Sequence, residues 1–207
     1  MTKTTPDSPA IIYQSLLYGI FQRSRAEPYR GFSLAITSIN PGEGVSHATR
    51  GLANALGEIL TQRVAMMELN FLQRKSGSLE EIIHSVDMTE ESYIRELKYE
   101  AHTNGNGTNG HGTEWQRNLE YRRSCIRRLC SHFDVVLIDC PALKRSGEAL
   151  SIAAAVDGVI MVVQAGRTTK ADIAFAERQI VGVGGKLEGH ILNKLSTPFL
   201  PRWLSRR

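Results

Sequence analysis

The sequence has no long apolar run: nothing in its 207 residues approaches the roughly eighteen consecutive apolar residues of a membrane-spanning helix. Its N-terminus, Met-Thr-Lys-Thr-Thr-Pro-Asp-Ser, lacks the apolar core of a secretory signal. Cysteine is scarce as well, because the chain has only three, an odd number that favours reduced thiols over a disulfide framework. These absences predict a cytoplasmic protein.

Basic charge is unevenly spread along the chain, whose formal net charge is +4. Arginines cluster between residues 115 and 130 and again in the last residues, 201–207. Such clusters can contact phosphates, acidic partners or anionic lipid, but a solvated helix face and a frayed tail are the simpler interpretation. We therefore expect no nucleic-acid partner. The tail places Trp203 among arginines, which allows peripheral contact with the inner face of the cell membrane.

The apolar pattern predicts an α/β fold. Five short runs are almost continuously apolar, as is typical of parallel strands covered on both faces; they span residues 32–38, 63–69, 133–138, 158–164 and 188–192. Helical periodicity separates most of them. This alternation predicts right-handed crossovers and a doubly wound, mostly parallel sheet with helices on both faces. In such sheets ligands bind beyond the carboxyl ends of the strands.

The same pattern predicts one main domain over residues 31–195. We expect an N-terminal arm and helix over residues 1–30 and a basic tail over residues 196–207. A Gly/Asn-rich insert at 102–113 cannot bury apolar surface, so it is predicted to be a flexible loop between the second and third of the five strands.

The loop after the first strand, residues 38–47, has the features of a phosphate-binding loop. Glycines let the backbone approach phosphate, and the first-turn amides and dipole of the following helix favour negative charge. Working loops add a lysine that reaches the phosphates and a hydroxyl that binds magnesium. Here Val45 occupies the lysine position, Ser46 keeps the hydroxyl and His47 follows. Taken alone, the loop is equally compatible with a plain strand–helix turn.

Four longer segments connect this loop to a known family. They are ITSINPGEG at 36–44, GLANALG at 51–57, FDVVLIDCP at 133–141 and AVDGVIMVVQAG at 155–166. Through them, residues 13–193 resemble the bacterial tyrosine kinases of capsule and exopolysaccharide synthesis, a branch of the MinD/ParA-like P-loop ATPases. The last two segments look like the Walker B strand of that family and the strand that follows it.

The resemblance implies a site for ATP or ADP with magnesium. Asp139 matches the Walker B aspartate, and Glu68 matches the first acidic position of the family's Asp-x-Asp-x-Arg motif. Asn70 and Leu72 stand at its other two positions, where the charges are lost. Magnesium would then be held by Ser46, Glu68 and Asp139. The candidate nucleotide-binding residues are Pro41, Gly42, Glu43, Gly44, Val45, Ser46 and His47, together with Asn193 and Lys194, which resemble the pair that reads adenine.

The missing lysine predicts weak binding and impaired catalysis. A charge-assisted contact of this kind is worth about 1.5–3 kcal/mol, so its loss weakens nucleotide affinity roughly ten- to a hundredfold. Loss of one preorganised charge costs about 10²–10³ in rate. We therefore expect a pseudo-enzyme that keeps the fold without needing a nucleotide, binds ATP or ADP weakly and has little hydrolytic or autokinase activity.

The expected role is that of a regulatory or scaffold component of exopolysaccharide (capsule) biosynthesis and export. Its partner would be a membrane polysaccharide chain-length (co-polymerase) protein or an active kinase homologue. No tyrosine cluster follows Tyr121, and Ile11, Gln14 and Leu17 replace the family's Glu-x-x-Arg-x-x-Arg motif of ring assembly. This argues against a ring and leaves a dimer open.

Two alternatives remain at the level of sequence. The first is an active tyrosine autokinase with an unconventional site, in which Glu68 and Asp139 bind magnesium and His47 binds phosphate. The second is a MinD/ParA-like positioning adaptor. That class usually carries a second lysine near the start of the loop, which residues 38–40 lack.

Overall fold

In the computed structural model of the protein, the described residues are 31–60, 62–69, 94–97 and 113–195, with Gly19 in addition. The basic tail and nearly all of the predicted N-terminal arm lie outside the described residues, and so does the Gly/Asn-rich insert up to residue 112. Asn70 and Leu72 lie outside them as well. The predicted division into arm, domain and tail therefore stays a prediction.

The described residues contain six strands in a single sheet. The strands are β1 (Phe32–Ser38), β2 (Val64–Glu68), β3 (Ile94–Leu97), β4 (Val135–Asp139), β5 (Gly158–Gln164) and β6 (Leu187–Asn193). Their order is β3-β2-β4-β1-β5-β6, and every adjoining pair is parallel. The predicted parallel α/β sheet is confirmed.

Four helices occur within the described residues. They are α1 (Val45–Leu60), α2 (Thr113–His132), α3 (Glu148–Ala153) and α4 (Lys170–Gly182). The start of α4 shows why these boundaries arise. Thr169 has an extended backbone, and its hydroxyl accepts a hydrogen bond from the Asp172 amide at 3.1 Å, which caps the first turn.

Successive residues of the central strands point to opposite faces of the sheet, and both faces are buried. In β4, Val135 and Leu137 pack on the face covered by α1, whereas Val136 and Ile138 pack on the face covered by α2 and α3. Alternation with both faces covered explains why these strands read as continuous apolar runs.

The aspartate of the 155–166 segment has a structural role. The Asp157 carboxylate accepts hydrogen bonds from the Ser33 amide at 2.9 Å and the Ser33 hydroxyl at 2.6 Å. The Asp157 amide donates in return to the Ser33 hydroxyl at 3.0 Å. Together these bonds continue the pairing of β1 with β5 beyond the first residue of β5.

Two elements were not predicted, β3 and α3. The sequence of β3, Ile-Arg-Glu-Leu, is short and half charged, and it becomes a strand by pairing in parallel with β2. Helix α3 is only six residues long, too short to show a period. Because β3 intervenes, the predicted insert falls between β3 and α2 in chain order.

Candidate phosphate-binding site

The candidate site lies where three parallel strands end side by side. Ile36 of β1 and Glu68 of β2 both pair with Asp139 of β4, so the carboxyl ends of these strands form one edge of the sheet. A cleft of about 630 Å³ opens at this edge. Its lining includes Pro41, Gly42, Gly44, Val45, Ser46, His47, Glu68 and Asp139 from the predicted set, Arg145 and Ser146 from the loop after β4, and Glu148 at the start of α3.

Two positive φ angles shape the loop between β1 and α1: 80° at Gly42 and 97° at Gly44. Glycine adopts this region without the strain that a Cβ atom causes. At Gly44 there is a second requirement, because a Cβ would lie 2.2 Å from the side-chain nitrogen of Asn193. The Pro-Gly-Glu-Gly motif therefore encodes one particular loop conformation.

The carbonyl groups of this loop point towards the end of β6. Lys194 donates from Nζ to the Gly42 carbonyl at 2.6 Å, and Asn193 donates from Nδ2 to the Glu43 carbonyl at 2.8 Å. A trans peptide holds its N–H opposite its C=O, so the amides of Glu43 and Gly44 point away from these partners. Within the described part of the chain, no amide of residues 42–47 donates a hydrogen bond to another residue. Such a row of amides at a helix start is suited to an anion.

Glu43 holds the loop in place from inside. Its side chain is completely buried, and both carboxylate oxygens accept hydrogen bonds. Oε2 accepts from the amides of Ile39 and Asn40, each at 3.0 Å, while Oε1 accepts from the Asn40 side chain at 3.0 Å and from the Thr168 hydroxyl. Burial raises the pKa of Glu43, but these hydrogen bonds outweigh it and the net pKa is lowered.

Val45 serves the core. Its half-buried side chain packs against the apolar cluster between the sheet and α1, which includes Leu34 and Leu52. Valine carries no charge. The phosphate loop therefore offers a phosphate its backbone amides and the Ser46 hydroxyl, but no lysine.

Asp139 is the acidic centre of the cleft. Burial raises its pKa, and the neighbouring charge of Glu68 raises it further, while a hydrogen bond with Ser46 and the charge of Arg50 act in the opposite direction. The net pKa is raised. Ser46 and Asp139 thus place a hydroxyl and a carboxylate oxygen together, with the Glu68 position on the adjacent strand.

These oxygen ligands fit a magnesium ion that arrives with phosphate groups. Magnesium is usually bound by one or two carboxylates, phosphate oxygens and water. The described residues contain no group of three or more His, Cys, Asp or Glu side chains that could hold a metal alone. Ser46 and Asp139 would therefore hold the ion together with the phosphates of a ligand, where its charge would neutralise phosphate oxygens.

The remaining predicted residues occupy different positions. His47 is exposed and borders the cleft. Asn193 and Lys194 contact the carbonyls of the phosphate loop, as described above, and neither belongs to the cleft lining. That this pair reads adenine remains a prediction.

Sequence reasoning missed Thr168 and the loop after β4. Thr168 reaches Glu43 from the turn before α4, a pairing across 125 positions that no local pattern indicates. The loop after β4 is fastened to the phosphate loop, since the Leu143 amide donates to the Ser38 carbonyl at 2.8 Å. The signal available for this loop was a Lys-Arg pair, residues 144 and 145, which follows the segment 133–141 after two residues.

Sequence comparison finds similarity to bacterial tyrosine kinases. Tyrosine-protein kinase CpsD of Streptococcus agalactiae serotype Ia is 38% identical over 76 residues, which cover 37% of this chain and 33% of that kinase. The chain thus matches about a third of the length of this streptococcal relative. Tyrosine-protein kinase YwqD of Bacillus subtilis strain 168 is 24% identical over 176 residues, 78% of this chain and 71% of that protein. No protein-family model matches the chain.

Solved structures establish the same fold. The kinase domain of the Escherichia coli tyrosine kinase ETK aligns with a TM-score of 0.64 at 18% identity, over 97% of this chain and 84% of that one. The MinD cell division protein of Aquifex aeolicus aligns with a TM-score of 0.55 at 16% identity, over 80% and 70%. The fold is therefore that of the MinD/ParA-like P-loop NTPases. In the described part of the chain, no helix is both long enough and apolar enough to cross a lipid bilayer.

Proposed function

We propose that this chain is a catalytically impaired member of the bacterial tyrosine kinases, a branch of the MinD/ParA-like P-loop ATPases, and that it still binds the phosphates of ATP or ADP. Its similarity to such kinases in sequence and fold supports the proposal. The proposal rests on the valine, Val45, that stands at the position of the phosphate-binding lysine. The surrounding loop keeps its glycine conformations and its row of amides, whereas the side chain at the lysine position packs into the core.

The expected binding is weak and depends on magnesium. The amides of residues 42–47 receive phosphate oxygens, and Ser46 and Asp139 hold the ion. Glu68 and Glu148 add negative charge to the same cleft, so an uncompensated anion is repelled. Phosphoryl transfer depends on neutralising charge that develops on the transferred group, and a loop without its lysine is deficient in this respect.

We place this impaired protein in exopolysaccharide or capsule biosynthesis, as a regulatory or scaffold component. The resemblance to the tyrosine kinases of capsule and exopolysaccharide synthesis, together with the similarity to tyrosine-protein kinase CpsD, supports the pathway. The role follows from a binding fold that is kept while the catalytic charge is absent. Its partner would be a membrane chain-length protein or an active kinase homologue. Deletion of the gene should change polymer length or amount, and a deletion strain with normal polymer would contradict the role.

The biochemical test is a calorimetric titration of the full chain with Mg-ATP and Mg-ADP, combined with assays of hydrolysis and autophosphorylation. Val45→Lys should tighten nucleotide affinity roughly ten- to a hundredfold, as expected for one charge-assisted phosphate contact. Val45→Met is the matched control, since it lengthens the side chain without adding charge, and should leave the affinity unchanged.

Each outcome decides part of the proposal. Autophosphorylation or hydrolysis by the natural chain at the rate of an active P-loop kinase would refute catalytic impairment. If neither the natural chain nor Val45→Lys binds nucleotide at millimolar concentration, the phosphate site itself is refuted. An equal gain in Val45→Met would show that charge is not what the loop lacks.

A second candidate function is an active autokinase with an unconventional site. The observation in its favour is the Ser46–Asp139 hydrogen bond with Glu68 on the adjacent strand, which leaves the magnesium ligands in place. In this case His47 takes the role of the phosphate cation. His47→Gln would then abolish phosphorylation, whereas under impaired catalysis there is no activity for it to remove.

A further inference from the structure

The cleft contains far more acidic than basic charge. Among the described residues, Glu68, Asp139 and Glu148 line it with carboxylates, and Arg145 is the one lysine or arginine in the lining. A polyphosphate that enters the cleft meets three acidic groups. The position of the single arginine therefore matters for any phosphate ligand.

Arg145 is held beside the phosphate loop by backbone hydrogen bonds. The turn that carries it follows β4, and the Lys144 amide donates to the Ile39 carbonyl at 3.1 Å. Thr37 adds a side-chain hydrogen bond to the Pro141 carbonyl at 2.8 Å. The turn is thus fixed to the end of β1 and the first residues of the phosphate loop, on the side of the cleft that faces away from β6 in the strand order.

The two adjacent cations of this turn differ in their partners. Lys144 forms an ion pair with Asp172 of α4, with 2.9 Å between Nζ and Oδ1. The guanidinium of Arg145 is exposed and makes no hydrogen bond or ion pair with any residue in the described ranges. An arginine presents a planar fork of donors that binds phosphate in a bidentate manner.

We infer that Arg145 replaces the missing loop lysine as the cation that binds the terminal phosphate of a nucleoside di- or triphosphate. The inference rests on the proposed binding of nucleotide in this cleft. Arg145 belongs to the loop after β4 and lines the same cleft as the loop between β1 and α1, so the phosphate would be held between the two loops. Selectivity for phosphorylated over unphosphorylated nucleosides then depends on a residue outside the phosphate loop.

The test is a calorimetric titration of the full chain with Mg-ADP and, separately, with adenosine. Arg145→Ala should weaken Mg-ADP binding roughly ten- to a hundredfold and leave adenosine binding unchanged. Arg145→Lys should retain part of the affinity, because it keeps the charge and loses the fork. Lys144→Ala is the matched control: it removes the neighbouring cation, whose charge is paired with Asp172, and should change Mg-ADP affinity less than about twofold. Thermal unfolding of each variant confirms that it is folded.

A double-substitution cycle makes the inference specific. If Arg145 binds the terminal phosphate in place of the lysine, Val45→Lys should increase Mg-ADP affinity by a larger factor in the Arg145→Ala background than in the natural chain. Equal gains in both backgrounds, or equal losses in Arg145→Ala and Lys144→Ala, would overturn the inference while nucleotide binding stands. If the natural chain binds Mg-ADP no better than adenosine, both the inference and the proposed phosphate binding fail.

Discussion

The side-chain amide of Asn193 donates a hydrogen bond to the Glu43 carbonyl at 2.8 Å, which fastens the end of β6 to the phosphate loop. Beside it lies Gly44, where a Cβ atom would come within 2.2 Å of the same Asn193 nitrogen. The end of β6 and the phosphate loop are therefore in direct contact, and a substitution in one should alter the conformation of the other.

Gly44→Ala should disrupt this arrangement. It places a Cβ on a residue with φ of 97° and against Asn193, so the loop must shift and its row of amides is lost. We expect about 1–3 kcal/mol of destabilisation and no measurable Mg-ADP binding, by denaturant unfolding and calorimetry. Gly42→Ala is the control: its φ is also positive, but open space surrounds the position of its Cβ. Equal effects at both glycines would contradict a role for the Asn193 contact.

Glu43→Gln should destabilise the protein although it is nearly isosteric. The oxygen of glutamine must face the two backbone amides, because these can only donate. Its NH₂ then lies against the Asn40 side chain and the Thr168 hydroxyl, which must reorient to accept, and the charge that strengthened all four hydrogen bonds is lost. The expected loss is about 1–3 kcal/mol, measured by denaturant unfolding at pH 7.

The contribution of Glu43 should also depend on pH. Its folded-state pKa lies below the ordinary value of 4.5, so the stabilisation is complete above pH 4.5 and is lost as the pH falls through the folded-state pKa. The difference in unfolding free energy between the natural chain and Glu43→Gln should shrink in that acidic window. A difference that does not vary with pH would argue against the ionised carboxylate as its source.

Asp139→Asn should stabilise the protein at neutral pH. The folded-state pKa of Asp139 lies above its ordinary value of 3.8, so ionisation disfavours the folded state as the pH rises through the window between the two values. Asparagine removes this cost and can still accept the hydrogen bond from Ser46. Urea unfolding without divalent ions should show a more stable variant at pH 7 and no difference below pH 3.8. A less stable variant at pH 7 would contradict the raised pKa.

Asp157→Ala should cost about 1–3 kcal/mol of unfolding free energy. The change leaves the amide of Ser33, a completely buried residue, without the carboxylate that receives it. Ser33→Ala removes both hydrogen bonds of the hydroxyl but leaves the Asp157 amide its bond to the Ser33 carbonyl at 3.2 Å, so it should cost less. Nucleotide affinity should stay the same in both variants, which thermal unfolding and calorimetry can check. A selective loss of binding in Asp157→Ala would mean that this segment acts on the site.

The strands show which features could be predicted from local sequence and which depend on tertiary structure. The bounds of β1 and β5 were predicted correctly, because a strand buried on both faces must be apolar along its whole length. The short strand β3 was missed, because half of its four residues are charged and only its pairing with β2 makes it a strand. Because β3 lies at the end of the strand order, it need not be apolar along its whole length.

The sequence by itself determined the resemblance to bacterial tyrosine kinases, the parallel sheet, the loop with Val45 in place of lysine and the acidic Asp139. Each depends on residues that are neighbours in the chain or on a run of one physical character. Tertiary structure decided which partners those residues meet. In the folded protein Thr168 contacts Glu43, Asn193 lies against Gly44, and Arg145 lines the cleft. These residues are distant in the chain, but they meet because the loops that follow parallel strands lie at the same end of the sheet.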